Sequence, residues 1–243
     1  MENRKISNLL FLGDSITDCN HFFDTENLGY GYVRMISEQI NASEKNYQVQ
    51  NMGNDGFTVS AVRRLWKRKC LHVQPDLITI LIGINDLAVI KNTGITPSVG
   101  FAQFCETYQN LLEEIRITAD CPILLMEPFV FPRPAEYLLW EEELTIMNQM
   151  IKELAQSNGA EFLPLWESLR GAEKDLGLSQ ITTDGIHLTA AGHQIIAERW
   201  MNFYLGKKTD TGFLRKIRHQ LFASYIVVND KHQQCDNPAH REV

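Results

Sequence analysis

Short apolar runs alternate with helical patterns along this chain, and this alternation limits the folds it can adopt. Apolar or alternating runs predict strands at Leu9–Leu12, Tyr47–Gln50, Asp76–Ile82, Pro122–Met126 and Glu161–Leu163. Helical spacing predicts helices at Leu28–Ile40, Thr58–Cys70, Phe101–Ile117, Leu138–Ser157 and Thr189–Leu205. Such a rhythm favours an α/β fold with a parallel central sheet and helices on both faces.

The residue composition and the hydrophobic pattern of the chain change after Gly206. A sequence of 243 residues is compatible with one α/β domain, and we place that domain at residues 1–206. Residues 207–243 begin with a polar stretch and continue with a basic amphipathic segment at Phe213–Phe222. We treat them as a C-terminal extension of unknown role that packs on the domain, joins a subunit interface or partly frays. A homodimer is compatible with this arrangement.

Net charge, cysteine spacing and the lengths of the apolar stretches limit the binding partners, metal content and location that can be expected of the protein. The net charge of −7 argues against nucleic-acid binding, which requires a basic face. Five scattered cysteines without CxxC spacing suggest neither a zinc site nor a disulfide framework. No apolar stretch approaches the roughly 20 residues of a membrane span, and the charged N-terminus is unlike a signal peptide. These features predict a cytoplasmic protein with no integral membrane segment and no metal.

Ser15 stands where the first predicted strand ends. Open α/β sheets bind ligands at the carboxyl ends of their strands, so a hydroxyl at this position can meet substrate. Serine becomes a nucleophile only when a base removes its proton. His187 is the candidate base, and Asp184, three residues earlier, is the candidate group that orients its ring. Taken alone, Gly-Asp-Ser also fits an ordinary turn, and Asp184 with His187 also fits a helix cap.

An ester attacked by serine develops a negative oxygen that needs hydrogen-bond donors around it. Three candidates lie at predicted strand ends: the backbone N–H of Ser15, the backbone N–H of Gly53 and the side-chain amide of Asn85. Gly53 suits the role because a residue without a side chain lets substrate approach the backbone. The sequence therefore predicts an oxyanion hole built from three separate segments.

These blocks, in this order, resemble the SGNH hydrolase superfamily, also called GDSL lipases and esterases. Gly-Asp-Ser-Ile-Thr at 13–17 is similar to its first block, Asn-Met-Gly-Asn-Asp-Gly at 51–56, which contains Gly53, to the second, Gly-Ile-Asn-Asp at 83–86 to the third and Asp-Gly-Ile-His at 184–187 to the fifth. The resemblance spans about residues 8–205. It implies a three-layer α/β/α flavodoxin-like domain, a catalytic triad of Ser15, Asp184 and His187, and no cofactor.

The expected function is hydrolysis of a carboxylic ester or thioester through an acyl-enzyme on Ser15. The substrate is expected to be a small-molecule ester such as an acylated carbohydrate or lipid. Further side chains near the strand ends are candidates for substrate binding: Asp14, His21, Phe22, Glu127 and Phe129. Two other functions stay open at this point. The same residues could transfer an acyl group to a sugar or alcohol, and a flavodoxin-like binding module would share the sheet without a triad.

Overall fold

The computed structural model describes residues 7–42, 47–70 and 72–204. Its five strands are Ser7–Gly13 (β1), Tyr47–Gly53 (β2), Leu77–Leu81 (β3), Ile123–Met126 (β4) and Glu161–Leu163 (β5). Its helices are Ser15–Asp18 (α1), Tyr32–Asn41 (α2), Val59–Leu65 (α3), Ile84–Asn92 (α4), Pro97–Thr118 (α5), Glu141–Ser157 (α6), Trp166–Leu176 (α7), Leu178–Ile181 (α8) and Ala190–Tyr204 (α9).

All five strands are parallel, and their order across the sheet is β2-β1-β3-β4-β5. The predicted α/β class and parallel sheet are therefore confirmed, and β2 lies at an edge as its alternating sequence suggests. Parallel strands put their carboxyl ends on one edge of the sheet. Gly13 at the end of β1 pairs with Gly53 of β2 on one side and with Leu81 of β3 on the other. This register brings the first three sequence blocks side by side.

Alternate residues of β1 pack on opposite faces of the sheet, as strand geometry requires. Leu10 and Leu12 belong to the core on the side of α3, α5 and α6. Phe11 contacts Tyr32 of α2 and Trp200 of α9, with ring centroids 5.9 and 5.6 Å apart. Helices thus cover both faces, which is the three-layer arrangement that the sequence predicts.

Several boundaries differ from the predicted ones, and three helices were not predicted. The predicted helix 58–70 ends at Leu65 and continues as a π-helical turn over Trp66–Cys70. The first turn of the predicted helix 138–157 belongs instead to a 3-10 helix, Ala135–Trp140. The missed helices α4, α7 and α8 follow strand ends or turns, where the sequence indicates loops.

Thr189 begins α9 as expected, because its hydroxyl accepts a hydrogen bond from the Gly192 N–H. The predicted domain boundary at residue 206 and the extension 207–243 lie outside the described residues. Within residues 7–42, 47–70 and 72–204, no helix is long and apolar enough to cross a membrane.

Candidate active site

The nucleophile candidate lies at the first turn of α1, directly after β1. Asp14 is the N-cap of this helix, and its side chain accepts a hydrogen bond from the Ile16 N–H at 3.0 Å. The Ser15 N–H has no acceptor within the described part of the chain, as is usual for the first residues of a helix. Ser15 therefore presents both a hydroxyl and a backbone donor at the carboxyl edge of the sheet.

Three side chains from distant parts of the sequence form one hydrogen-bonded chain. Ser15 Oγ lies 2.9 Å from His187 Nε2, and His187 Nδ1 lies 2.6 Å from Asp184 Oδ2. Asp184 also accepts the backbone N–H groups of Ile186 and His187 through Oδ1. The structure thus brings Ser15, His187 and Asp184 together in the order that the sequence predicts.

Electrostatics favour an ionised Asp184. Partial burial acts to raise its pKa, but the hydrogen bonds from His187 and from two backbone N–H groups outweigh this and hold the pKa of Asp184 below its usual value. A carboxylate accepts hydrogen bonds only, so the proton between the two residues belongs on His187 Nδ1. His187 Nε2 is then free to accept the Ser15 proton.

The loop that carries Asp184 and His187 is fixed by backbone contacts. Gly185 has φ = +99°, and a Cβ placed on it would collide with the carbonyl oxygen of Arg133. Its N–H donates to Thr182 Oγ1, and its carbonyl accepts from the Phe131 N–H at 2.7 Å. Glycine is required here because the loop passes so close to residues 131–133.

The second sequence block, which contains Gly53, does not have the arrangement that the sequence predicts for it. The Gly53 N–H donates to Asn51 Oδ1 at 2.9 Å, so this donor is already occupied by the protein. A Cβ on Gly53 would collide with the backbone nitrogen of Asp18. The expectation that Gly53 binds the oxyanion does not agree with this structure, since its missing side chain makes room for α1 rather than for substrate.

Asn51 is the residue of this block whose role the sequence did not reveal. Its side-chain amide donates to the carbonyls of Thr17 and Leu28 at 2.7 and 2.8 Å, and it lies 3.3 Å from the Asp18 carbonyl. The side chain is buried and joins the end of α1 to the chain at Leu28, both of which follow the nucleophile. A buried asparagine of this kind has no periodic signal in a sequence.

Gly56 lies between two anchored residues in the loop after β2. The Asp55 N–H donates to Asp18 Oδ2, and the Phe57 carbonyl accepts from Asn85 Nδ2 at 2.9 Å. Gly56 is exposed with φ = +70°, and its N–H has no acceptor among the residues that the structure describes. The Gly56 N–H is therefore an open donor between the nucleophile helix and Asn85.

Asn85 lies in the first turn of α4, after β3. One hydrogen of its amide goes to the Phe57 carbonyl, which leaves the second hydrogen available to another acceptor. The next residue, Asp86, accepts the Val59 N–H at the start of α3. Protein surrounds the Asp86 carboxyl, and this burial raises its pKa to about 7. Asp86 thus braces the Asn85 segment against α3.

Four of the five candidate substrate-binding residues have other roles. Asp14 is 1% exposed, and burial raises its pKa to about 7. His21 is buried and its Nδ1 lies 2.6 Å from Asp18 Oδ1. Phe129 is fully buried. Glu127 Oε2 accepts the N–H groups of Leu165 and Trp166 at the start of α7.

The predictions for these four side chains are corrected, because Asp14, His21 and Phe129 are buried and both carboxylate oxygens of Glu127 accept hydrogen bonds from the protein. Phe22 is the exception. It is 63% exposed and its ring lies 4.0 Å from that of His21, so its contact with substrate stays a prediction. Among residues 7–42, 47–70 and 72–204, no group of three His, Cys, Asp or Glu side chains could hold a metal ion.

Comparison with known proteins agrees with this fold. A sequence model of the GDSL-like lipase/acylhydrolase family matches residues 11–195. The chain belongs to that family, within the SGNH hydrolase superfamily, and is a carboxylic ester hydrolase.

Known proteins of the same fold are similar to this chain over most of their length. An acetylxylan esterase of Geobacillus stearothermophilus is 27% identical over 206 residues, which cover 79% of this chain and 91% of that protein. The crystal structure of Axe2, an acetylxylan esterase from the same organism, superposes with a TM-score of 0.71 at 26% identity, covering 81% of this chain and 93% of that one. LAE5, from the metagenome of Lake Arreo in Spain, shares the fold with a TM-score of 0.69 at 22% identity, covering 80% and 93%.

Proposed function

We propose that this protein hydrolyses short acyl esters of carbohydrates through an acyl-enzyme on Ser15. The 2.9 Å contact between Ser15 Oγ and His187 Nε2 carries the proposal, because it joins a nucleophile to a base that a carboxylate already orients. The acyl group is proposed to be acetyl and the alcohol a sugar hydroxyl, since a relative that covers most of both chains is an acetylxylan esterase.

The reaction begins when His187 Nε2 takes the proton of the Ser15 hydroxyl. Ser15 Oγ bonds to the ester carbonyl carbon, and the carbonyl oxygen becomes an oxyanion. As the intermediate collapses, the bond to the sugar oxygen breaks and His187 returns its proton to that oxygen. Water then repeats these steps on the acyl-enzyme, which releases the carboxylic acid and restores the Ser15 hydroxyl.

Three donors are proposed for the oxyanion: the Ser15 N–H, the second hydrogen of the Asn85 amide and the Gly56 N–H. The first and third have no acceptor in the described structure, and hydrogen bonds at Asp55 and Phe57 hold the Gly56 loop between α1 and Asn85. Gly56 replaces Gly53 in this set because the Gly53 N–H is bonded to Asn51. Asn85→Ala is expected to reduce kcat about 10²–10³-fold.

Ser15→Ala tests the proposal through turnover of p-nitrophenyl acetate and of acetylated xylooligosaccharides. We expect the variant to unfold at the wild-type temperature and to lose at least about 10⁴-fold in kcat on both substrates. Retained activity would remove Ser15 from the mechanism. Product analysis with added sugar acceptors separates hydrolysis from acyl transfer, since a transferase would form new esters in place of free acid.

A further inference from the structure

A groove of about 490 Å³ lies between α3, α4 and α5, away from the triad itself. Its volume is in the range of sites that bind small molecules. Asp86 and Thr58 are among its lining residues. Asp86 follows Asn85 directly, and Thr58 follows Phe57, whose carbonyl accepts the Asn85 amide. One end of the groove therefore adjoins the proposed oxyanion donor.

The wall formed by α5 presents polar side chains in a row. Gln103, Thr107 and Asn110 line the groove at helical spacing, so they share one face of the helix. Within the described residues, none of these three side chains makes a hydrogen bond. The row spans about 10 Å at 1.5 Å per residue. It offers donors and acceptors along a length that a short oligosaccharide covers.

Thr58 adds a hydroxyl on the opposite wall. It is the N-cap of α3, yet its side chain makes no capping hydrogen bond, and the Val59 N–H at the first position of the helix donates to Asp86. The floor between the walls includes the apolar side chains of Val59, Ile90 and Phe104. Hydroxyl-binding walls over an apolar floor suit the polar edges and the C–H faces of a sugar ring.

The charges at the groove favour a neutral ligand. Arg63 lines it, but its guanidinium is paired with Glu114, which also contacts Lys67 Nζ at 2.9 Å. Glu106 contributes an exposed carboxylate to the lining. Among the described residues that line the groove, Arg63 is the one cation against the carboxyl groups of Asp86 and Glu106, so the lining carries no excess positive charge to hold an anionic ligand such as a phosphate ester.

We propose that this groove binds the neutral oligosaccharide that carries the scissile ester, as the leaving-group side of the substrate. The inference rests on the proposed function and deepens it. A p-nitrophenyl ester is too small to need the groove, whereas an acetylated oligosaccharide would extend along Thr58, Gln103, Thr107 and Asn110.

The double variant Gln103→Ala/Asn110→Ala tests the proposal, with Gln156→Ala, an exposed change on α6, as the matched control. With acetylated xylotetraose we expect KM to rise about tenfold at unchanged kcat, as two lost hydrogen bonds predict. With p-nitrophenyl acetate we expect kcat/KM to stay within about twofold. An unchanged KM for the saccharide, or an equal loss on both substrates, would overturn the proposal.

Two further measurements separate this inference from the proposed function. If p-nitrophenyl decanoate rather than the saccharide loses affinity in the double variant, the groove binds an acyl chain and the proposal is wrong. Binding of unacetylated xylotetraose to the Ser15→Ala variant can be monitored by NMR, and this measurement does not require catalysis. We expect the side-chain amide signals of Gln103 and Asn110 to shift on addition of the sugar, and their constancy under saturating sugar would overturn the inference even in an active esterase.

Discussion

The two halves of the candidate site are held in different ways. The nucleophile segment lies on the sheet, where Asp14 is 1% exposed and buried Asn51 donates to the Thr17 and Leu28 carbonyls that follow Ser15. The base segment stands at the surface, where the side chains of Asp184 and His187 are 53% and 50% exposed. Buried hydrogen bonds position the serine, while turn contacts within residues 182–187 and a backbone hydrogen bond from Phe131 to Gly185 position the histidine. Changes to the residues that anchor the serine, such as Asn51, should therefore act on stability, whereas changes to the triad side chains should act on activity.

Within the exposed region, the largest expected effect comes from Asp184→Asn. Asparagine can still accept the Ile186 and His187 N–H groups, but its amide hydrogens would face His187 Nδ1 and favour the wrong tautomer. We expect kcat on p-nitrophenyl acetate to fall about 10³–10⁴-fold, with an unfolding temperature close to wild type. Equal activity would exclude Asp184 as the orienting group, and a large loss of stability would break the contrast between the regions.

Asn51→Ala probes the buried region. It leaves the Thr17 and Leu28 carbonyls without their donor and the Gly53 N–H without its acceptor. Unpaired buried groups cost about 1–3 kcal/mol each, so we expect the free energy of unfolding to fall by about 3–5 kcal/mol. Urea denaturation measures this change, with Gln50→Ala on the same strand as the control. A loss no larger than that of the control would show that the buried network does not hold this segment.

Comparing Gly185→Ala with Gly177→Ala separates the effect of a close contact at Gly185 from the effect of backbone strain, which both variants share. Both glycines have positive φ, +99° and +90°, but a Cβ at Gly185 would collide with the Arg133 carbonyl, whereas nothing lies within 4 Å of one at Gly177. We expect Gly185→Ala to displace His187 and lower kcat/KM about 10²-fold. Gly177→Ala should cost about 1–2 kcal/mol of stability at unchanged activity. Equal kinetics for the two variants would contradict the role of this contact.

Asp14→Asn is expected to change the pH dependence of stability. Burial raises the pKa of Asp14 to about 7 from an ordinary value of 3.8, so the folded state holds a proton that the unfolded state has released. Its contribution to stability is complete below about pH 4 and is lost as pH rises toward 7. In Asp14→Asn we expect this fall, about 2–4 kcal/mol, to disappear from denaturation curves measured between pH 4 and pH 7. Asp175→Asn on exposed α7 controls for the loss of a carboxylate, and an unchanged pH dependence in Asp14→Asn would contradict the assignment.

The sequence predicts the fold well, and it predicts which blocks meet at the edge of the sheet, because both depend on order and periodicity. Strand ends meet at one edge of a parallel sheet, so the order of the blocks along the chain is enough to place Ser15 and Asn85 at that edge. The predictions for Glu127 and Phe129 were wrong for the opposite reason. Whether a side chain after a strand turns inward, or caps a later helix such as α7, depends on tertiary packing that one sequence does not encode locally.

Gly53 also shows that tertiary contacts cannot be predicted from local sequence, here within a single sequence block. Its neighbours Asn51 and Gly56 lie two and three residues away, and all three residue types fit a turn. Only the hydrogen bond from the Gly53 N–H to Asn51 and the approach of α1 distinguish a structural glycine from an open donor. The helix α4 was missed because its first residues, Ile84, Asn85 and Asp86, also fit a loop that ends a strand.

Covalent labelling tests the central claim, that the exposed imidazole activates the serine at the sheet edge. The intact protein is treated with a fluorophosphonate and the modified peptide is identified by mass spectrometry, in wild type and in His187→Ala. We predict one adduct, on Ser15, together with complete loss of esterase activity, and no adduct at the same exposure in His187→Ala. An active esterase that is labelled elsewhere, or a Ser15 that reacts equally well without His187, would contradict the account.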